Sequence, residues 1–349
     1  MNFRENLRRT IHFEKPEWVP MIFHINPACW SHYSPDTLNE LIDSHPFLFP
    51  EVDRQQLREP KLMPIEQAGK PYIDGWGCVW LTTENGIHGT VVQHPLENWD
   101  AFGLFVSPDA TIDSGRGPID WRQVAEDFKT AKVCDRFAIG GLLHGHTFLT
   151  LADIRGYENL IFDMADDNIN LWKLIEIIET FNKQIVQEYI KAGAELMKYP
   201  EDLGMQVGPM ISPSYFRKYI KPSYKRLMNL ARNAGCVVHM HSDGDIRDLI
   251  DDMIDCGIDI INLQDTVNGI DWLRSKLKGN ICIDLDIDRQ NITKFGTPEE
   301  IDKFILDEIK LLGSKQGGLM MLYGLYPGIP VENIESLMNA MTKYSVYYS

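Results

Sequence analysis

The sequence His241-Ser242-Asp243 ends the apolar run Cys236–Met240, so an imidazole and a carboxylate stand two residues apart where a strand turns into a loop. A Zn2+ ion takes imidazole nitrogen and carboxylate oxygen, and this spacing offers one of each. Glu201 or Asp202, just past the run Ala194–Tyr199, would add a third ligand and leave one position open for substrate. The same residues allow a simpler arrangement, in which His241 hydrogen-bonds Asp243 or Asp245 and orders the loop. His239 shares the strand face of His241 and reads as a buried, hydrogen-bonded histidine.

Other polar residues follow the remaining apolar runs: His24 and Asn26, His144 and His146, Gln264 and Asp265, then Asp284, Asp286 and Asp288, and Tyr323. Apolar runs end at polar residues by definition, so part of this enrichment is automatic. His144-Gly145-His146 could chelate if extended, although one ring more commonly faces a pocket while the other packs away from it. Asp284 ranks above Asp286 as a general base or ligand. Gly140-Gly141 forms no dinucleotide or phosphate-loop signature, and no Gly-x-Ser-x-Gly elbow is present.

The elements that must carry these residues are apolar strands separated by helices. Phe137–Leu143, Ala194–Tyr199, Cys236–His241, Ile258–Leu263, Ile281–Leu285 and Gly318–Tyr323 are near-continuous apolar runs, as a parallel sheet covered by helices requires. Leu171, Leu174, Ile178, Phe181, Ile185 and Tyr189 recur at helical spacing. Further helices are predicted at Ser214–Ala234, Asp245–Cys256, Pro298–Leu312 and Val331–Tyr344, with Thr297 as a cap and Pro298 at the first helical position. Val19–His24 and Phe47–Phe49 bring the strands to eight, the number of a (β/α)8 TIM barrel, whose chemistry sits at the C-terminal mouth. Residues 50–130 break the alternation and hold Trp76, Trp80, Trp99 and Trp121. They read as an insertion or lid over the mouth, within a single domain spanning 1–349. Cys78–Thr82 and Gly89–Gln93 within it could form an antiparallel hairpin.

Composition bounds the function. A net charge of −16 argues against a nucleic-acid binder, which needs a basic face. The six cysteines have no Cys-x-x-Cys or zinc-ribbon spacing and read as reduced thiols. No apolar run approaches a membrane span, and Met1–Glu5 lacks the apolar segment of a secretory signal, so a cytoplasmic location is expected.

Val238–Ile246, Asp255–Asn262, Gly296–Glu300, Ile329–Ile334 and the opening Phe13–Pro20 resemble blocks of the uroporphyrinogen-decarboxylase-like superfamily. The resemblance implies a single barrel with either decarboxylase or corrinoid-linked methyltransferase activity. Where true decarboxylases carry an arginine-rich segment that grips porphyrinogen carboxylates, Ile22–Cys29 has no arginine. In the methyltransferase branch zinc is bound through His-x-Cys and a later Cys. His241 matches the first ligand, Asp243 stands at the first Cys, and Tyr323 lies near the second. Oxygen ligands suit an ether or amine leaving group better than a thiol. The resemblance thus implies transfer of a methyl group from a small methylated compound, such as an aromatic methyl ether, to a corrinoid protein. Cobalt(I) would be the nucleophile.

The expected catalytic residues are His241, Asp284 and Tyr323, with His24, Trp30, Trp76, Trp80, His144, His146 and Gln264 around the substrate. The expected Zn2+ ligands come from His241, Asp243, Asp202 and Glu201. At least one of Trp30, Trp76 and Trp80 is expected to line the cavity. A lyase acting on a small acid and a non-catalytic ligand-binding protein are the alternatives.

Overall fold

The structure, a computed structural model, describes residues 1–50, 57–58 and 60–349, so residues 51–56 and 59 of the expected insertion lie outside the described residues. The strands are β1 (Met21–Ile25), β2 (Tyr72–Ile73), β3 (Val79–Leu81), β4 (Thr90–Gln93), β5 (Ile139–Gly141), β6 (Leu196–Asp202), β7 (Val237–Asp243), β8 (Ile260–Gln264), β9 (Cys282–Asp286) and β10 (Leu319–Leu325). The chain divides into two compact units, each discontinuous in sequence: 1–69 with 82–88 and 260–349, and 70–81 with 89–259. The architecture is α/β, parallel strands alternating with helices, which is the repeat of a TIM barrel.

In the first unit the strand order is β1-β10-β9-β8, all parallel. Their apolar residues are buried almost without interruption, as strands covered by helices on a parallel sheet must be. The helix Pro298–Leu312 starts on a complete capping box. Thr297 Oγ1 accepts the Glu300 N–H at 3.3 Å, and the Glu300 carboxylate accepts the Thr297 N–H at 2.8 Å.

In the second unit β5, β6 and β7 form a parallel sheet, and β2, β3 and β4 a small antiparallel one. The long helix Ile169–Ala192 buries Leu171, Leu174, Ile175, Ile178, Phe181, Ile185 and Val186 along one stripe. Asn168 caps its start, and Gly193 ends it at a φ of 98°, a left-handed conformation that glycine adopts without steric cost. Fully buried Tyr199, Tyr219, Tyr224, Phe148 and Phe216 fill the space between sheet and helices. Burying a side chain of this size contributes about 1.5–3 kcal/mol.

Three sequence expectations change. Phe47–Phe49 is no strand: Pro46–Leu48 is a 3-10 turn, held by the Leu48 N–H to the His45 carbonyl. Seven parallel strands are therefore present among the described residues, against the eight expected. The predicted helix Ser214–Ala234 is interrupted. A π-turn at Phe216–Ile220 precedes the regular helix Lys221–Asn233, because Pro222 has no N–H to continue the ladder. The predicted helix Asp245–Cys256 keeps only Ile250–Asp255, because Asp245 is drawn into loop contacts with Arg247 and the Gly208 N–H. Segment 50–130 is shared between the two units, and its β3–β4 pairing is the antiparallel one expected. No helix among the described residues is long and apolar enough to cross a membrane.

Candidate functional site

The C-terminal ends of β5, β6 and β7 bring His144, Asp202 and His241 together. One ligand atom from each lies within 4.8 Å of the other two. Register explains the convergence: Pro200 pairs with His241 and Asp202 with Asp243, so Asp202 and His241 project from adjacent strands. His144 arrives from the loop after β5, which the Gly145 N–H ties to the Pro200 carbonyl at 2.9 Å.

His144 Nε2 stands 3.3 Å from Asp202 Oδ2, and His241 Nε2 stands 3.5 Å from Asp202 Oδ1. One carboxylate thus faces two imidazoles, whose centroids are 5.8 Å apart. Burial opposes ionisation of Asp202, but the two imidazoles outweigh it and hold the carboxyl well below the usual carboxylate range. Asp243 sits at the rim, with Oδ1 3.9 Å from His241 Nε2, and its backbone N–H donates to Asp202 Oδ1 at 3.0 Å.

The backbone beneath is tightly fixed. Gly204 and Gly244, in the loops after β6 and β7, approach so closely that a Cβ on Gly244 would lie 2.2 Å from the Gly204 carbonyl carbon. Ser242 Oγ accepts the Leu203 N–H at 2.9 Å and donates to the Asp243 carbonyl at 3.0 Å.

Glu201, an expected metal ligand, is engaged elsewhere. It is fully buried, and its carboxylate accepts the backbone N–H groups of Thr147, Phe148 and Leu149 at 3.1, 2.9 and 3.1 Å and the Tyr224 hydroxyl at 2.7 Å. It is the anionic anchor for the start of the helix Phe148–Arg155. Strand alternation turns it to the opposite face from Asp202.

His146 is likewise withdrawn from the substrate role assigned to it. Its ring packs on Tyr224 and Tyr199, Nδ1 meets Thr147 Oγ1 at 2.7 Å, and burial pushes its pKa down to about 3, so it is neutral. Of the two histidines in His144-Gly145-His146, only His144 joins the cluster.

Trp76 is buried, packing edge-on against Phe181 at 4.9 Å and stacking on Phe105 at 6.3 Å. Trp80 is buried, its indole N–H donates to Asp74 Oδ2 at 2.8 Å, and the Arg116 guanidinium lies 4.6 Å from its ring centroid. Behind them Asp153 meets Arg116 at 3.5 Å and feels the charges of both Arg116 and His144. Burial pushes the Asp153 carboxyl up to about 7, and Arg116 only partly offsets this.

The remaining expected residues belong to the other unit. Tyr323 is fully buried against Phe23, 5.2 Å between centroids, and its hydroxyl donates to Thr293 Oγ1 at 3.1 Å. Burial raises its pKa strongly, so it is a packed core phenol rather than the expected catalytic group. His24 is exposed on β1, and Trp30 is half-buried in the short helix Cys29–His32. Asp284 and Gln264 are half-buried on β9 and β8.

Asp153 and Arg116 escaped the sequence reading because neither follows an apolar strand. The available signal was an arginine between two glycines, Gly115-Arg116-Gly117, in a tryptophan-rich segment.

Against known proteins, a model of the uroporphyrinogen decarboxylase (URO-D) family matches residues 128–344, more than half of the chain. The chain belongs to the URO-D family. Curated relatives of this URO-D member include a uroporphyrinogen decarboxylase of Prochlorococcus marinus, 26% identical over 161 residues, covering 43% of this chain and 44% of that protein. The uroporphyrinogen decarboxylase of Thermus thermophilus is 26% identical over 171 residues, 47% of this chain and 46% of that one. The URO-D chain thus spans less than half the length of the curated relatives it matches. Among solved structures, a methyltransferase from Methanosarcina mazei shares the fold over 99% of both chains, with a TM-score of 0.64 and 16% identity.

Proposed function

We propose that the chain is an enzyme that takes a methyl group from a small methylated compound, an aromatic methyl ether being the leading class, and passes it to a corrinoid held by a partner protein. The observation that carries this reading is the His144–Asp202–His241 cluster, two imidazoles and one carboxylate at the ends of three adjacent parallel strands. Family membership and the fold shared with a methyltransferase support it. The lack of arginine in Ile22–Cys29 speaks against a polycarboxylate tetrapyrrole, which needs cationic partners.

The donor set fits Zn2+. His144, Asp202 and His241 each offer one donor atom within 4.8 Å of the other two, a set of two imidazole nitrogens and one carboxylate oxygen of the kind Zn2+ takes. His144, Asp202 and His241 would hold the ion, leaving the fourth position for the substrate oxygen. Bound there, zinc would supply Lewis-acid polarisation of the leaving oxygen. The chain's own residues do the rest. The Asp243 N–H fixes the orientation of the Asp202 carboxylate. Asp153, whose carboxyl burial pushes up to about 7, is the proton donor assigned to the departing alkoxide or phenolate, being partly protonated at neutral pH.

The test incubates the purified protein with free cob(I)alamin and a panel of methoxylated aromatics, following the corrinoid spectrum and the demethylated product. Equimolar demethylation and corrinoid methylation, lost in His241→Ala, is the expected result. Carbon dioxide release from a small acid without methyl transfer would favour a lyase. Saturable binding with neither reaction would leave a ligand-binding protein.

A further inference from the structure

The Arg116 guanidinium has one weak ion-pair partner among the described residues, Asp153, and rests on the Trp80 ring. Its side chain is only 14% exposed, and its single hydrogen bond among the described residues, to Asp153 Oδ2, is long at 3.5 Å. An arginine presents five N–H donors in a planar fork, and no Arg116 nitrogen is both buried and unpaired, so its remaining donors face accessible space where a ligand could supply acceptors.

The chain nevertheless fixes this arginine firmly. Asp113 Oδ1 accepts the N–H groups of Gly115 and Gly117 at 2.6 and 3.3 Å, and the Gly75 N–H ties down the Gly115 carbonyl at 3.0 Å. The Tyr72 hydroxyl donates to the Arg116 carbonyl at 2.7 Å. Gly115 cannot be replaced freely, since a Cβ there would lie 2.9 Å from Trp76 Nε1 and its φ is 100°. The guanidinium rests on Trp80, itself pinned by Asp74. A cation stacked on an indole keeps its N–H edge free for an in-plane partner. Gly115, next to Arg116, lies beside Leu143, next to His144, since a Cβ on Gly115 would fall 3.5 Å from the Leu143 side chain, and this places the arginine's loop beside the His144–Asp202–His241 cluster.

We propose that Arg116 is the specificity residue of this site, receiving a single carboxylate on a small, flat substrate whose ring lies towards the cluster. The proposal rests on reading that cluster as the substrate site. In a chain of net charge −16, a local cation is what lets a small anion enter at all. The fork geometry of arginine suits one carboxylate held through two parallel N–H bonds.

The experiment is equilibrium titration of chelator-treated protein, which removes direct binding of the probe to metal, with benzoate, 4-methoxybenzoate and anisole, read by tryptophan fluorescence and calorimetry. Wild type should bind either carboxylate at least about tenfold more tightly than anisole. Arg116→Met, which keeps the stem over Trp80, should abolish the preference while leaving anisole binding unchanged, and Arg116→Lys should restore part of it. Equal binding of anisole and benzoate by wild type, no saturable benzoate binding, or a preference surviving in Arg116→Met would each overturn the proposal. So would an equal loss for all three probes, which marks a purely structural role. Benzoate has no methyl group to give, so the two readings fail separately. Arg116-dependent benzoate binding without methyl transfer keeps the anion site and sinks the reaction, and charge-blind binding with methyl transfer does the reverse.

Discussion

The backbone N–H of Asp243 donates to Asp202 Oδ1 at 3.0 Å, so the acid of the His-x-Asp pair orients the carboxylate of its register partner. The peptide, not the Asp243 side chain, makes this contact. Asp243→Asn should therefore retain bound metal within about twofold, whereas Asp202→Asn should lose at least the 10–100-fold typical of a disturbed metal shell, roughly 1.4–2.8 kcal/mol. Competition with a chromogenic zinc chelator measures both. Equal losses would make Asp243 a ligand in its own right.

Glu201→Ala should be among the most destabilising single changes in the second unit. It strands the buried Thr147 and Phe148 N–H groups and the part-buried Leu149 N–H at the start of the helix Phe148–Arg155, together with the Tyr224 hydroxyl. Each unsatisfied buried group costs about 1–3 kcal/mol, and partial relaxation brings the expected total to about 3–5 kcal/mol in urea denaturation. A loss under about 1 kcal/mol would mean the helix start finds other acceptors.

Gly244→Ala combines a positive φ of 80° with a Cβ placed on the Gly204 backbone. A loss of about 2–4 kcal/mol is expected. Because Gly244 adjoins Asp243, metal affinity should fall in the folded variant as well. Unchanged thermal stability would show that these loops separate easily.

A buried acid pair in the first unit sets a pH dependence. Burial pushes Asp265 up to about 6 and raises Glu308 well above its usual range, and the Glu308 carboxyl faces Asp265 with no other partner among the described residues. Asp288 adds repulsion to both. With folded pKa values above the unfolded ones, the folded state holds the extra proton. The contribution is fully present below about pH 4 and is lost as pH rises through 6. Glu308→Gln, whose amide can donate permanently, should flatten this fall, by on the order of 2 kcal/mol between pH 5 and pH 8. A pH–stability curve identical to wild type would show that the pair does not titrate in this range.

The parallel α/β repeat was legible because strands buried on both faces leave long apolar runs and Ile169–Ala192 leaves a clear helical stripe. Phe47–Phe49 was not, since three apolar residues beside Pro46 serve a 3-10 turn equally well. At the site, strand ends pointed to His241, Asp202 and His144, but not to which of Glu201 and Asp202 faces the cluster. That choice follows from one step of strand alternation and from the helix start that needs an anion, a contact spanning more than fifty residues of sequence. Tyr323 looked chemical by position alone, and only its burial beside Phe23 and Thr293 removes it. Asp153 and Arg116 come from a helix interior and an irregular loop, where no periodic pattern marks a functional residue.

Metal content bears most directly on the central claim. Protein produced in zinc-replete medium and purified without chelator should carry one zinc per chain by inductively coupled plasma mass spectrometry. His144→Ala and His241→Ala, each folded by circular dichroism, should carry little or none. Wild-type protein without stoichiometric metal, or His144→Ala retaining its full complement, would contradict a metal centre built from His144, Asp202 and His241.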